Sequence, residues 1–357
     1  MAELELEDLK TPIEVIFHQI VANKITMGDK GRMLFLYKNT SLGENETYKI
    51  KKFKSAIFDE TDETLAFYVK RFFEGGCKKV IVIEYKDKIA DVTAVMKEML
   101  PDFDWLTSVE QEAQSDVKSF AIENERFGVV YNIQADSIFV VSLANPSAVY
   151  IDDAGNKKTL TGLEMLPIIA GVCCGCPYNM SVSYKIFTQL ESVEQPETYK
   201  QGQLTLYKEE EGIRFANACN TLQTTNSTYT EDMKSICIAE GMQRIKIDLI
   251  KAYRTGYKGK YKNHYDNQCL FYAAVNYGYI KELEKVGIEI LDPNYNNEVH
   301  TNIEAQRDLW LATGKSEAEN WDNETVCKNT YKNMIIAEMN VKMLDAMEGM
   351  KLTVEMF

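Results

Sequence analysis

A chain of 357 residues with 45% hydrophobic and 26% charged side chains has the make-up of a folded globular protein, long enough for two or three cores, and excludes a mainly disordered state. Fifty-four acidic against forty basic side chains leave a net charge of −14, so the mean field repels the phosphate backbone of nucleic acid. No apolar run reaches the roughly 18 residues of a membrane span, and the acidic opening MAELELEDLKTP lacks the pattern of a secretory signal, so the expectation is a chain made in a cytoplasm.

In chain order, Ile13 to Val21 combines β-branched and aromatic residues and predicts a strand ahead of the main body. RMLFLYK (32–38) and VIVIEY (80–85) are nearly continuous apolar runs, the pattern of strands covered on both faces. Between them Glu63 to Glu74 predicts a helix, with Asp59 or Asp62 as its cap and Gly75-Gly76 as its stop. Strand, helix and strand in that order are a βαβ unit. Ala90 to Leu100 and Val109 to Glu125 predict helices on either side of Pro101, and FGVVYNI and SIFVVSL predict strands. A polar turn at 152–156 leads to a helix over Thr161 to Val172 and an alternating strand near Val182 to Leu190. QLTLYK and IRFANA flank Glu209-Glu210-Glu211-Gly212 as a β-hairpin. From Thr230 the period becomes helical up to Gly256, with Thr228 or Thr230 as the cap. Further helices are expected over Cys269 to Val286 and Ile303 to Thr313, the latter behind Thr301 or Asn302. Two β-like runs, MIIAEMNVKML and KLTVEMF, close the chain around Glu348-Gly349, and the second has nothing beyond it to pair with.

Chemistry-bearing patterns are sparse. The eight cysteines lack a disulfide framework, and Cys173-Cys174-Gly175-Cys176 has no second ligand pair at zinc spacing, so it reads as small packing residues at a helix end. His18, His264 and His300 are the three histidines, and none stands in a recognisable triad frame. Glycine-rich phosphate loops are absent. An enzymatic alternative is a hydrolase using His264 with Cys269 or Ser235. One asymmetry stands out: between Gly241 and Lys262 seven basic residues, Arg244, Lys246, Lys251, Arg254, Lys258, Lys260 and Lys262, face the single acid Asp248, with Tyr253, Tyr257 and Tyr261 interleaved. That stripe is either a solvated face or a surface for an acidic partner, and the partner reading leaves room for a monomeric adaptor.

The segments LTLYKEEEGIRFANACNTLQT, IAEGMQRIKIDLIKAYRTGYKGKYKNHYDNQCLFYAAVNYGYIKELEKVGI, IEAQRDLWLATGK and NVKMLDAMEGMKLTVEM resemble the tail sheath proteins of contractile bacteriophages, in particular the short sheaths of Gram-positive phages, defective prophages and R-type bacteriocins. GDKGRMLFLYKN and PIIAGVCCGCPYNMSVSYKIF resemble earlier parts of the same family; residues 44–158 match in pattern more than in words. The resemblance implies a non-enzymatic α/β body of mixed sheets flanked by helices, with N- and C-terminal β-arms that add strands to neighbouring subunits. It implies stacked hexameric rings around an inner tail tube and a sleeve that contracts to drive the tube through an envelope. The implied partners are neighbouring subunits, the tube, and baseplate and tail terminator proteins, with no direct nucleic acid and no membrane insertion. The implied location is a virion or bacteriocin tail sheath assembled in the host cytoplasm. No protease activity is carried over, because no triad is present, and neither cofactor nor metal is expected.

On this footing the chain divides into an arm (1–30), an N-terminal and middle α/β region (31–200), a C-terminal region of hairpin plus helices (201–345) and a second arm (346–357). Ile13, Val15 and Phe17 at one end and Leu352, Val354 and Met356 at the other are period-two apolar anchors for augmenting a sheet. Gly28, Gly31 and Gly349 are candidate hinges, and Lys246, Lys251, Arg254 and Lys258 are candidate contacts to an acidic tube.

Overall fold

The computed structural model describes residues 25–43 and 46–356; the expectations at Ile13, Val15 and Phe17 lie outside them. At its centre is a six-stranded sheet in the order β2-β3-β1-β4-β5-β6. Its strands are β1 (Arg32–Lys38), β2 (Tyr48–Phe53), β3 (Lys79–Tyr85), β4 (Trp105–Ser108), β5 (Phe127–Tyr131) and β6 (Val140–Leu143). β3, β1, β4, β5 and β6 run parallel, and β2 is antiparallel to β3. The run RMLFLYK is apolar throughout because successive side chains serve different cores. Met33 and Phe35 join one core with Val80 and Val82, while Leu34 and Leu36 join another with Ile81 and Ile83.

The first face is covered by α1 (Glu63–Glu74) and α4 (Gly162–Gly175), the second by α2 (Thr93–Glu98) and α3 (Gln114–Asn124). Asp62 caps α1, accepting from the Thr64 and Leu65 amides, and Thr161 with Glu164 forms a capping box on α4. The two helices cross so closely that a Cβ on Gly75 would stand 2.2 Å from the Gly171 carbonyl carbon. Beside this body lies an antiparallel sheet β8-β7-β9, made of β7 (Ser147–Ile151), β8 (Lys157–Thr161) and β9 (Leu190–Val193). The hairpin of β10 (Leu206–Lys208) and β11 (Ile213–Phe215) packs Leu206, Ile213 and Phe215 into the first core, although the sequence reading opens a separate region at residue 201.

The remainder is a helical unit with its own core of Ile245, Tyr257, Phe271, Tyr279, Leu283 and Leu291, into which Ile25 and Tyr178 also reach. It contains α5 (Ile236–Ala252), α6 (Tyr265–Ala274), α7 (Ile280–Leu283), α8 (Ile303–Ala312) and α9 (Asn323–Lys328), and the two-stranded sheet of β12 (Glu298–Thr301) and β13 (Ala337–Asn340).

The α/β class holds, and so do α1, α8 with its Asn302 cap, and the hairpin. Elsewhere the structure corrects the sequence reading. The strand expected near 182–190 is a short 3-10 turn at Val182–Tyr184, and β9 starts only at Leu190. α5 is capped by Ser235, whose hydroxyl accepts from the Ile238 amide, while Thr230 opens a 3-10 turn. The helix expected from Cys269 starts at Tyr265 and passes through a π-turn at Val275–Tyr279, which adds one residue to the turn before α7. The run MIIAEMNVKML has a partner inside the chain, since β13 pairs with β12.

Candidate assembly surfaces

The segment that leads into β1 is anchored on α5. Glu240, Arg244 and Asp248, four residues apart, line one buried face of that helix. The Gly28 amide donates to Asp248 Oδ2 at 3.0 Å and Arg244 Nη1 donates to the Asp29 carbonyl at 3.1 Å. Lys30 pairs with Glu240, whose other oxygen accepts from the Trp105 indole at 2.9 Å. Arg244 Nη2 reaches Asp248 Oδ1 at 3.2 Å, and the Tyr279 hydroxyl donates to Asp248 Oδ2 at 2.9 Å. Burial pushes the carboxyls of Glu240 and Asp248 above their usual range, opposed by Lys30 and Arg244 respectively. Of the candidate hinges, Gly28 is packed so that a Cβ would meet the Arg244 guanidinium at 2.8 Å. Gly31, at φ +89°, accepts from the Lys78 and Lys79 amides. A Cβ on Gly349 would meet nothing within 4 Å.

The other chain end is fixed up to residue 348 and exposed after it. Leu344 donates to the Ile290 carbonyl, Asp345 accepts from Ser235 at 2.9 Å, and Glu348 accepts from Ser183 at 3.1 Å and from Ser181. Beyond it Leu352, Val354 and Met356 are 72%, 70% and 91% exposed, with no strand assigned, so an alternating apolar segment stands in water without a partner among the described residues.

An open sheet edge is present on the same chain. The Val299 amide and carbonyl of β12 both bond to the side-chain amide of Asn276, so they point away from β13. Val299 faces Met339 and Thr301 faces Ala337 in the register. In an antiparallel pair these are the non-hydrogen-bonded positions, so the N–H and C=O groups of Met339 and Ala337 also point away from β12. One edge of this small sheet is therefore closed by a side chain. The other offers unpaired donors and acceptors among the described residues.

The basic stripe is less uniform than its composition. Arg244 is buried against Asp248, Lys246 pairs with Glu125 at 2.6 Å, and Lys260 donates to the Thr255 carbonyl. Lys251, Arg254 and Lys258 are exposed and make no ion pair among the described residues. Lys246, Lys251 and Arg254 border a cleft of about 760 Å3 that Arg32 and Arg126, with Asp29, Glu125 and Asp248, also line. Arg126 donates to the carbonyls of Leu100, Phe103 and Glu125 instead of to a carboxylate. Tyr257 belongs to the core, packed on Phe271. The sequence reading missed Glu240 and Asn276 and named Asp248 only as the stripe's single acid; the four-residue spacing of Arg244 and Asp248 is the signal that marks Asp248 as partner of a buried arginine.

The groups invoked for hydrolysis do not come together. Ser235 is spent on capping α5 and holding Asp345, while His264 is exposed at the start of α6 with Asp266 3.9 Å away. Cys269 lies one turn along α6 beside Tyr265. Burial pushes the Cys173 and Cys174 thiols well up and that of Cys176 to about 12, which keeps them as thiols inside the first core.

No family model matches the chain. It is 25% identical over 258 residues to the tail sheath protein of Clostridium phage phiCD119, covering 71% of this chain and 67% of that protein. Its fold is similar to the sheath tail protein of Desulfitobacterium hafniense, with TM-score 0.61 and 12% identity over 82% of this chain and 94% of that one. It is also similar to the helical sheath of the anti-feeding prophage in its contracted state, with TM-score 0.65 and 13% identity over 96% and 98%. The chain is thus similar in sequence to a phage tail sheath protein and similar in fold to contractile sheath proteins.

Proposed function

We propose that the chain is a structural subunit of a contractile tail sheath, polymerising as stacked hexameric rings around an inner tail tube and contracting to drive that tube through a target envelope. The observation that carries this reading is the pairing of an unpartnered, alternating apolar C-terminal run with the open edge of β13. Six or so ladder bonds at about 1 kcal/mol net each do not offset about 1–2 kcal/mol of ordering per residue. Burial of Leu352, Val354 and Met356 must add to them, each worth about 1.5–3 kcal/mol when fully covered. Repetition around each ring then turns weak junctions into a stable mesh. Gly349 is the C-terminal hinge in this scheme.

The tube contact belongs to the exposed cations Lys251, Arg254 and Lys258, with Lys246 shared between Glu125 and the tube. Polar contacts suit a sleeve that holds its tube and later slides past it. The extended sleeve is a kinetically trapped state whose energy is stored at assembly, so no nucleotide site is needed. Baseplate and tail terminator proteins complete the partners, in a virion or bacteriocin tail built in the host cytoplasm. Removing residues 350–357 tests the assembly: the shortened chain keeps its melting curve and loses polymerisation, whereas polymerisation without those residues overturns the reading.

A further inference from the structure

The segments at residues 28–30 and 343–345, which lead toward the two chain ends, are held by a single helix. α5, 17 residues or about 25 Å long, grips residues 28–30 on its Glu240, Arg244 and Asp248 face. One residue further round, Gly241 turns to the other chain end: a Cβ there would stand 2.7 Å from the Met343 methyl and 3.1 Å from Ile290. At the start of the same helix Ser235 donates to Asp345. The incoming and outgoing segments thus lie against adjacent faces of one helix, with no Cβ on Gly241 between the helix and Met343.

We infer that α5 is a yoke: it joins the roots of both chain ends into one rigid unit, so that displacement of either root is passed through the helix to the other. Gly28 and Gly31 then work as clamps, not hinges. Gly28 is bonded to Asp248 and covered by Arg244, and Gly31 is tied to the strand entry at Lys78 and Lys79. The mechanical use of the yoke rests on the sheath reading. Tension in one arm would reach the other arm, and Lys251 in the last turn of α5 would move with both, coupling the mesh to the tube-facing surface. Small shifts are transmitted in this way when buried polar contacts have one satisfied arrangement and no soft intermediate.

Hydrogen exchange read by mass spectrometry on the soluble full-length chain tests the yoke without requiring a sheath. In the wild type, peptides covering 26–32 and 341–346 exchange far more slowly than 349–356. Asp248→Asn, which alters the first root's anchor and the Tyr279 bond but contacts nothing in the second root, accelerates 26–32 and 341–346 together by about tenfold or more, while peptides from β5 and α8 stay unchanged. Asp345→Ala, which removes the second root's bond to Ser235 and leaves the α5 cap in place, gives the reciprocal result and serves if Asp248→Asn does not fold. Acceleration confined to the root that was altered, in either variant, overturns the inference. The sheath reading fails separately: coupled exchange in a chain that never polymerises keeps the yoke and discards the sheath, and uncoupled exchange in a polymerising chain does the reverse.

Discussion

Ala337→Pro isolates the open edge of β13 from everything else in the fold. Ala337 is exposed, opens the strand, and faces Thr301 at a non-hydrogen-bonded position, so its amide is unused within the chain among the described residues. Proline is tolerated at the first residue of a strand and on an edge, and Ile336 keeps the carbonyl that accepts from the Asn302 amide. The folded subunit should therefore change in stability by no more than about 0.5 kcal/mol, as for a surface position. The junction loses more. One donor worth about 1 kcal/mol net disappears, and the pyrrolidine ring occupies the space of an incoming strand. In the proposed six-membered ring the missing bond alone would amount to about 6 kcal/mol. Urea unfolding gives the first quantity and sedimentation velocity the second. A variant with a wild-type urea midpoint that no longer forms large particles fits the reasoning. A variant that polymerises normally would falsify the assignment of this edge, and one that unfolds early would show that the Ala337 amide is needed inside the chain. Glu338→Pro is the internal contrast: it faces His300 at a hydrogen-bonded position, so it should destabilise the β12–β13 pair itself.

Other expectations follow from the same contacts. Lys251→Glu with Arg254→Glu should leave the urea midpoint unchanged, since neither makes an ion pair among the described residues, while co-sedimentation with an acidic tube protein falls; retained binding removes these residues from the tube contact. Gly75→Ala forces a Cβ against the Gly171 backbone and should cost about 1–3 kcal/mol or more in urea unfolding; an unchanged midpoint would mean that α1 and α4 separate easily. The bonds from Lys342 and the Asn294 amide hold the Asp292 carboxyl below its usual range. Its stabilising contribution is therefore present above the unfolded value of about 4 and is lost as pH falls through the lower folded value. Asp292→Asn should flatten that acid limb of a stability-against-pH curve, and an unaltered limb would show that the link contributes nothing.

Much of the architecture was legible because burial and periodicity agree. RMLFLYK and VIVIEY could only be two-sided strands, and α1 carries its cap and its glycine stop in adjacent residues. β2 and β4 were missed for opposite reasons. YKIKKF is an edge strand whose lysines discourage pairing with other chains and mask its apolar alternation. WLTS is fully buried yet half polar, its Thr107 and Ser108 hydroxyls satisfied by the Val129 and Leu36 carbonyls. Local pattern cannot reveal such long-range partners. The assembly surface was half legible: the apolar alternation of KLTVEMF stood out, but the edge that could receive such a strand depends on Asn276 closing the far side of β12, a contact across 23 residues. Composition likewise overcounted the basic stripe, because Arg244 looks like a surface cation until helical spacing sets it between Glu240 and Asp248.

Electron microscopy of the purified full-length chain tests the central claim most directly. The account predicts rings or hollow tubes from the chain alone, and their loss when residues 350–357 are removed. A chain that stays a dispersed monomer at every concentration, while folded, would contradict it.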